Sequence, residues 1–415
     1  MASQGNQPLA AAGAKLDPKW AKIPLYAAVL GVVLIIVGFV AYKPHGEVTA
    51  VKQFGHSYLL AFMFVLSLCL GGLFLTIIHH LFDASWSVPI RRMTEHLAFL
   101  LPVMAALFIP IALLAPQIYD WWNHDPRVDH ALQAKQPIFT HGGFYVVAIF
   151  LFALWTWLSF NLRKWSLLQD ADGAASHTRK LRVHAAYGIY AFALSLTLGA
   201  IMWMKGLEHQ WFSTMYGVYY FAESVWTTLA VVYLLSVFMK KQGPLAAVLK
   251  PRQFHDIGVL WLVFTVFYAY IHFSQYFLIW NAAIPEETFY YVKREQGAWW
   301  GIGMLIVFGH FLLPFLCLLR IDAKLTWPVM VPLAIWALLM HFCDMSWNVM
   351  PSLHPEGFTL HWMDLGCLAF VLGVAGTMWL KYFNAHSPYP KKDPRLAEAL
   401  GVHQHDSPAA PAHAK

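Results

Sequence analysis

The chain has 415 residues, 59% of them hydrophobic and only 12% charged, with a mean hydropathy of +0.52. A soluble protein usually carries about 25% charged residues, so the composition argues against a soluble globular domain and for a polytopic membrane protein. The formal charge of +6 is spread over many short loops, which argues against a nucleic-acid surface.

The first 22 residues read as a cytoplasmic segment, since no short apolar core with a small-residue cleavage site follows them. The apolar run 23–42 is long enough to span a hydrocarbon core and is read as a retained helix. Nine further runs qualify, at 56–81, 95–116, 141–162, 182–205, 215–239, 257–281, 297–319, 326–347 and 361–382. Backbone groups in lipid must be satisfied internally, and strand alternation is absent, so an all-α fold of ten transmembrane helices is expected rather than a barrel. Of the 28 Lys and Arg residues, only Lys43, Lys52, Arg127, Lys135, Lys205, Lys293 and Arg294 fall on the side opposite the N-terminus, leaving 21 with the termini. That asymmetry places both termini in the cytoplasm. Lys205 and Glu208 read as interfacial.

A faint repeat sets the organisation. The third helix opens "TEHLAFLLPV" and the seventh "FHDIGVLWLV"; the fourth ends "LSFNLRKW" and the eighth "LCLLRIDAK". The expected units are 23–55 (first helix and outer loop), 56–205 (a four-helix bundle, helices 2–5) and 206–347 (a second, helices 6–9). They are followed by 348–383, an outer loop and tenth helix, so that helices 1 and 10 flank the bundles. Residues 384–415, rich in Pro, Ala, Lys and His, read as a disordered cytoplasmic tail.

Ionisable residues inside spanning helices are costly and mark functional hypotheses. In the second bundle, His255 and Asp256 stand at the cytoplasmic mouth of helix seven, and His272 lies about 24 Å further along it. Gln275 and Tyr276 share the face of His272. His310 falls near the midplane, His341 and Asp344 occupy the outward half of helix nine, and Glu223 enters from helix six with Tyr219 one turn away. Histidine titrates near neutrality and passes a proton either way, so Glu223, Asp256, His272, His310, His341 and Asp344 form a candidate proton ladder. Hydrogen bonding between helices is the competing role for each. The first bundle gathers His79, His80, Asp83, Glu95, His96 and His184 at its cytoplasmic side, at most a half-channel.

No resident cofactor is expected. Cys69, Cys317, Cys343 and Cys367 lie in apolar runs with no C-x-x-C, so an iron–sulfur cluster or attached c-type haem is disfavoured. The histidines supply no two matched pairs of haem ligands. No metal site is expected either: adjacent His79 and His80 point about 100° apart on a helix, and His403, His405 and His413 sit in the solvated tail.

The stretch "FHDIGVLWLVFTVFYAYIHFSQYFLIWNAAIPEET" (254–288), with "FSQYFLIW" and "IPEET" its specific parts, and the loop "SWSVPIRR" (85–92) resemble the ten-helix membrane subunits of alternative complex III, within the NrfD/polysulfide-reductase membrane-anchor family. The resemblance covers nearly the whole chain and is closer to the shorter of the two such subunits. It implies a subunit of a quinol:cytochrome c (or oxidase-linked) oxidoreductase in the bacterial inner membrane, not catalytic alone. The implied partners are a sister ten-helix subunit, an iron–sulfur protein and a multihaem cytochrome c, the last two holding the clusters and haem c. It also implies relay positions at His255, Asp256, His272, Gln275, Glu286 and Glu287, with quinol as a ligand of the complex. Where quinone would bind in this chain stays open. From the residues alone, a proton-coupled transporter acting by itself and a purely structural anchor remain alternatives.

Overall fold

The computed structural model describes residues 16–43 and 48–401, and among them no strand occurs. Nine helices are long and apolar enough to cross a bilayer, ten when a bent pair counts as one span. They are α1 (Pro18–Val40), α2 (Ala50–Leu81), the bent α3, α4 (His141–Asp172), α5 (Ala175–Trp203), α6 (Tyr216–Gln242), α7 (Pro251–Ala282), α8, α9 (Trp327–Val349) and α10 (Trp362–Ala385). Successive spans run in opposite directions, so α1 begins and α10 ends at one end of the molecule, the terminal side. The other end is the distal side.

Local chemistry fixes the ends. The Thr49 and Thr140 hydroxyls accept from the third backbone N–H of α2 and α4, at 3.2 and 3.0 Å. Pro251 and Pro285 begin helices where a missing N–H costs nothing. Proline also interrupts. α3 consists of Val88–Ala98, Leu101–Leu107 and Ile109–Ile118, with a 55° bend before the last piece, where Pro110 cannot continue the hydrogen-bond ladder. α8 runs Gly297–Leu305, then a π-helical Ile306–Leu312, then Leu313–Leu319. Pro314 has no N–H to offer, and the Gly309 carbonyl in the π segment accepts instead from the Trp336 indole at 2.8 Å.

α2 is the hub, packed by α3, α5, α6, α9 and α10. The closest approach is to α6 at Gly71, where an added Cβ would lie 2.2 Å from Thr228 Oγ1. α1 lies along α10 through small residues: a Cβ on Gly373 would meet the Ala28 nitrogen at 2.4 Å. Helices α2–α5 contact one another, as do α6–α9, and the two sets share an inner wall through α2.

Three sequence expectations change. Several helices extend beyond their apolar cores, α2 from Ala50 and α7 from Pro251, because polar caps outside the core also take helical geometry. The stretch between the runs 257–281 and 297–319, left as a connection by the apolar pattern, contains a further helix, Pro285–Arg294. The reading of residues from 384 on as solvated tail does not describe 387–401, which fold back on the bundle with Tyr389, Asp393, Leu396 and Ala399 buried. Charge pairing and backbone hydrogen bonds hold this segment where apolar content alone would not. Residues 402–415, with His403, His405 and His413, lie outside the described residues.

Candidate functional site

Glu223, His341 and Asp344 are fully buried in the distal half, between α6 and α9. His341 and Asp344 stand three positions apart and so share one helical face, which points at Glu223 on α6 and Ser67 on α2. Ser67 Oγ donates to the Phe64 carbonyl at 2.7 Å and has no second hydrogen. His341 Nε2, 2.8 Å away, must therefore donate to it. His341 Nδ1 lies 2.5 Å from Glu223 Oε1, so the hydrogen between them belongs either to an imidazolium or to a carboxylic acid. The two descriptions differ only in where one proton sits.

Asp344 adjoins Glu223 and extends the network. It accepts from Tyr219 Oη at 2.5 Å and from Tyr268 Oη at 3.1 Å. The Tyr268 hydroxyl, having donated, accepts from His272 Nδ1 at 3.1 Å. Asn348, one turn beyond Asp344, donates to Tyr219 Oη at 2.8 Å and accepts from Tyr216 and Tyr290. Arg294 closes the distal edge, but its guanidinium donates to the Tyr290, Trp347 and Asn348 carbonyls and lies 3.4 Å over the Tyr290 ring. It makes no ion pair with either acid.

His272 also lines a cavity of 410 Å³ between α7, α8 and the helix Pro285–Arg294. Its other walls include Tyr276, Tyr291, Glu295, Trp300, Phe311 and Trp347. With Nδ1 engaged by Tyr268, the opposite ring nitrogen is the one free to meet a guest. Tyr276 Oη donates to Glu295 at 2.9 Å at the exposed rim.

The remaining expected relay residues are placed differently. His310 lies in the π segment of α8, sandwiched between Trp226 at 3.8 Å and Tyr268 at 3.9 Å, with neither ring nitrogen hydrogen-bonded. Gln275 joins Ser213 at 2.8 Å to Tyr291 at 3.0 Å, beside the cavity. Glu286 is exposed and Glu287 half-buried in the first turn of their helix. His255 and Asp256 form a separate pair at the terminal mouth of α7, 3.4 Å apart, with Arg252 3.7 Å from Asp256. About 18 Å of helix separates Asp256 from Tyr268, and Trp261, Trp226 and Thr265 fill the interior there.

The first-bundle residues make an ion network. Glu95 receives Arg91 at 3.0 Å, Arg92 at 2.6 Å and Ser166 at 2.6 Å. Arg91 also pairs with Asp393 and donates to His79 Nε2, whose Nδ1–H then donates to Ser87. Asp83 meets Arg182 at 2.8 Å and Arg395 at 3.1 Å. His80 and His96 are buried with no hydrogen-bond partner, and His184 stands apart, accepting from Trp165 at 3.1 Å. Lys205 is buried just beyond the distal end of α5. Its ammonium donates to the Trp211 carbonyl, and burial, then the neighbouring Lys135, push it down to about 7.

Ser67, Tyr268 and Asn348 escaped sequence reading. Tyr268 and Asn348 each stand one turn from a named residue on the same face, a signal available in "YAYIH" and "DMSWN". Ser67 carried no such signal, since its partner lies 274 residues away. No protein-family model matches this sequence, and no curated protein matches it significantly.

Proposed function

We propose that the chain is a multi-pass membrane subunit of a respiratory quinol-oxidising complex. It carries no redox centre, and it moves protons between the distal face and the membrane interior through α6–α9. The observation that carries this reading is the series His272, Tyr268, Asp344, Glu223, His341, in which two hydrogen-bonded groups, His272–Tyr268–Asp344 and Glu223–His341, meet where the two acids adjoin, with no lysine or arginine paired to either acid. The resemblance of 254–288 supplies the respiratory context, and the basic residues on the terminal side support a cytoplasmic placement of the termini in a bacterial inner membrane.

The relay follows from the donors and acceptors. A proton arriving in the cavity from Glu295 or water binds the free nitrogen of His272. The ring then releases its Nδ1 hydrogen to Tyr268, whose hydroxyl hydrogen passes to Asp344. From Asp344 it moves to Glu223, and on to His341 across a 2.5 Å contact. Asn348 and Ser67 orient the groups without titrating. The cavity's volume and aromatic walls also suit a planar ring carrying a hydroxyl, so His272 could receive a proton directly from quinol. A transporter acting alone is less favoured, because α3 is broken while α7, its partner in the repeat, is continuous.

Purification in mild detergent tests the context: haem- and cluster-bearing subunits should co-purify, and a chain that stays alone overturns it. Asp344→Asn tests the relay. It keeps the shape and one of the two tyrosine hydrogen bonds, and should lower protons moved per electron at least tenfold with assembly intact. Unchanged coupling would remove the proton role.

A further inference from the structure

On the distal side, outside the network above, three loops converge. His124 follows the turn Asp120–Asn123, Asp129 precedes the short helix His130–Ala134, and His209 follows the turn Lys205–Glu208. We propose that His124, Asp129 and His209 bind one late first-row divalent metal ion, with Zn²⁺ the ion to test.

The donor set is two imidazole nitrogens and one carboxylate oxygen, which suits zinc. The three ligand atoms all lie within 4.8 Å of one another. The carboxylate is preset: Asp129 Oδ1 accepts from the Ala131 and Leu132 amides at 2.9 and 3.1 Å. Oδ2 is left facing His209 Nε2 at 2.7 Å and His124 Nδ1 at 3.5 Å. The two rings stand 5.2 Å apart at 83°, so they approach Oδ2 from different directions. Donors around tetrahedral zinc, each about 2.0–2.2 Å from the ion, stand roughly 3.4 Å apart. His209 therefore needs to withdraw by under ~1 Å, and His124, with a half-exposed side chain, is free to adjust.

The backbone is held on both sides, since the His209 carbonyl accepts from Lys135 Nζ and the His124 amide donates to the Trp121 carbonyl at 3.3 Å. An open cleft of 790 Å³ adjoins the cluster, with Glu286, Asp125 and His130 on its walls, and leaves room for water as a fourth ligand. The ion would tie the loop after α3 to the loop after α5. The sequence expectation of no metal weighed only His79 with His80 and the tail histidines, because these three ligands are up to 85 positions apart.

The test uses the full chain in detergent, stripped with chelator, with His403, His405 and His413 replaced by Gln to silence the tail. Calorimetric titration with Zn²⁺ should show one saturable ion per chain, and Co²⁺ should give the optical bands of a four-coordinate site. His124→Gln, at a half-exposed position, should weaken binding at least tenfold without lowering the metal-free thermal midpoint. Asp129→Asn, which keeps the helix cap, should do the same. The absence of saturable binding, or binding unchanged by His124→Gln, would leave a hydrogen-bonded His–Asp–His cluster and overturn the proposal.

Discussion

The terminal side of α2–α4 and the distal half of α6–α9 draw on the same side chains, histidines and carboxylates buried among helices, and put them to opposite uses. Around Glu95, Asp170 and Asp393, every carboxylate faces an arginine and the charges compensate. Around Glu223 and Asp344 the neighbours are tyrosines, an imidazole and an amide, and the nearest guanidinium spends its donors on backbone carbonyls. A compensated carboxylate resists protonation and holds structure, whereas one met only by neutral hydrogen-bonding groups can exchange a proton at small structural cost. Residue type does not separate a lock from a relay. The counter-charge does.

The largest effect that tests this contrast is expected at Arg91. Removing one partner of a buried pair costs about 3–5 kcal/mol, because the other charge is stranded. Arg91→Ala takes one of two arginines from both Glu95 and Asp393, leaving Arg92 and Arg395, so within that bound it should lower the thermal midpoint by several degrees and release 387–401 to limited proteolysis. A midpoint within a degree of wild type would show that the network holds nothing. The pH behaviour follows. Burial alone would raise the Asp393 carboxyl, but Arg91 and Arg395 outweigh it and hold it below the ordinary 3.8. A depressed acid stabilises the fold above its ordinary value and loses that contribution as pH falls toward the folded one. The stability advantage of wild type over Asp393→Asn should therefore be flat from about pH 8 to 5 and vanish only below about pH 4.

The next effect is expected at His272, where relay and cavity meet. His272→Gln keeps a polar atom beside Tyr268 but cannot take up and release a proton. Proton movement should fall at least tenfold, a positioned acid–base group usually contributing about 10²–10⁴-fold, while thermal stability changes little. Full coupling in this variant would return His272 to a packing role and leave the deeper acids to be reached by another entry.

The helices were legible in the sequence because apolar length is a local property, and the breaks in α3 and α8 follow from single prolines. Buried polar residues were legible one by one. What joins them was not: Ser67 with His341, or Arg91 with Asp393, pairs residues some 300 positions apart, and no periodicity encodes such partners. For the same reason Glu95 and Glu223 looked alike as sequence. The tail was misread because its few apolar anchors, Tyr389, Leu396 and Ala399, are too sparse to signal docking without the ion pairs of Asp393 and Arg395, whose partners are distant in sequence. His310 shows the reverse case, a residue rightly picked as deep whose ring turns out to be stacked between Trp226 and Tyr268 rather than hydrogen-bonded.

The smallest effect is expected at Asp256, and it sharpens the contrast most. Sequence reading put Asp256 on the same ladder as Asp344. In the fold it sits at the partly exposed terminal mouth, with Arg252 and His255 beside it, and a Trp- and Thr-filled stretch of about 18 Å lies between it and Tyr268. If the distal network works as a relay fed from its own cavity, Asp256→Asn should change protons moved per electron by less than about twofold, while Asp344→Asn, a substitution of the same chemistry, changes it at least tenfold. The two variants are measured side by side in reconstituted membranes at equal turnover. Equal losses would mean that protons cross the aromatic stretch between Trp226 and Trp261, which requires an internal water file joining the two mouths. The side chains of Thr227 and Thr265 would then be the groups to replace next, since they bring hydroxyls into that stretch.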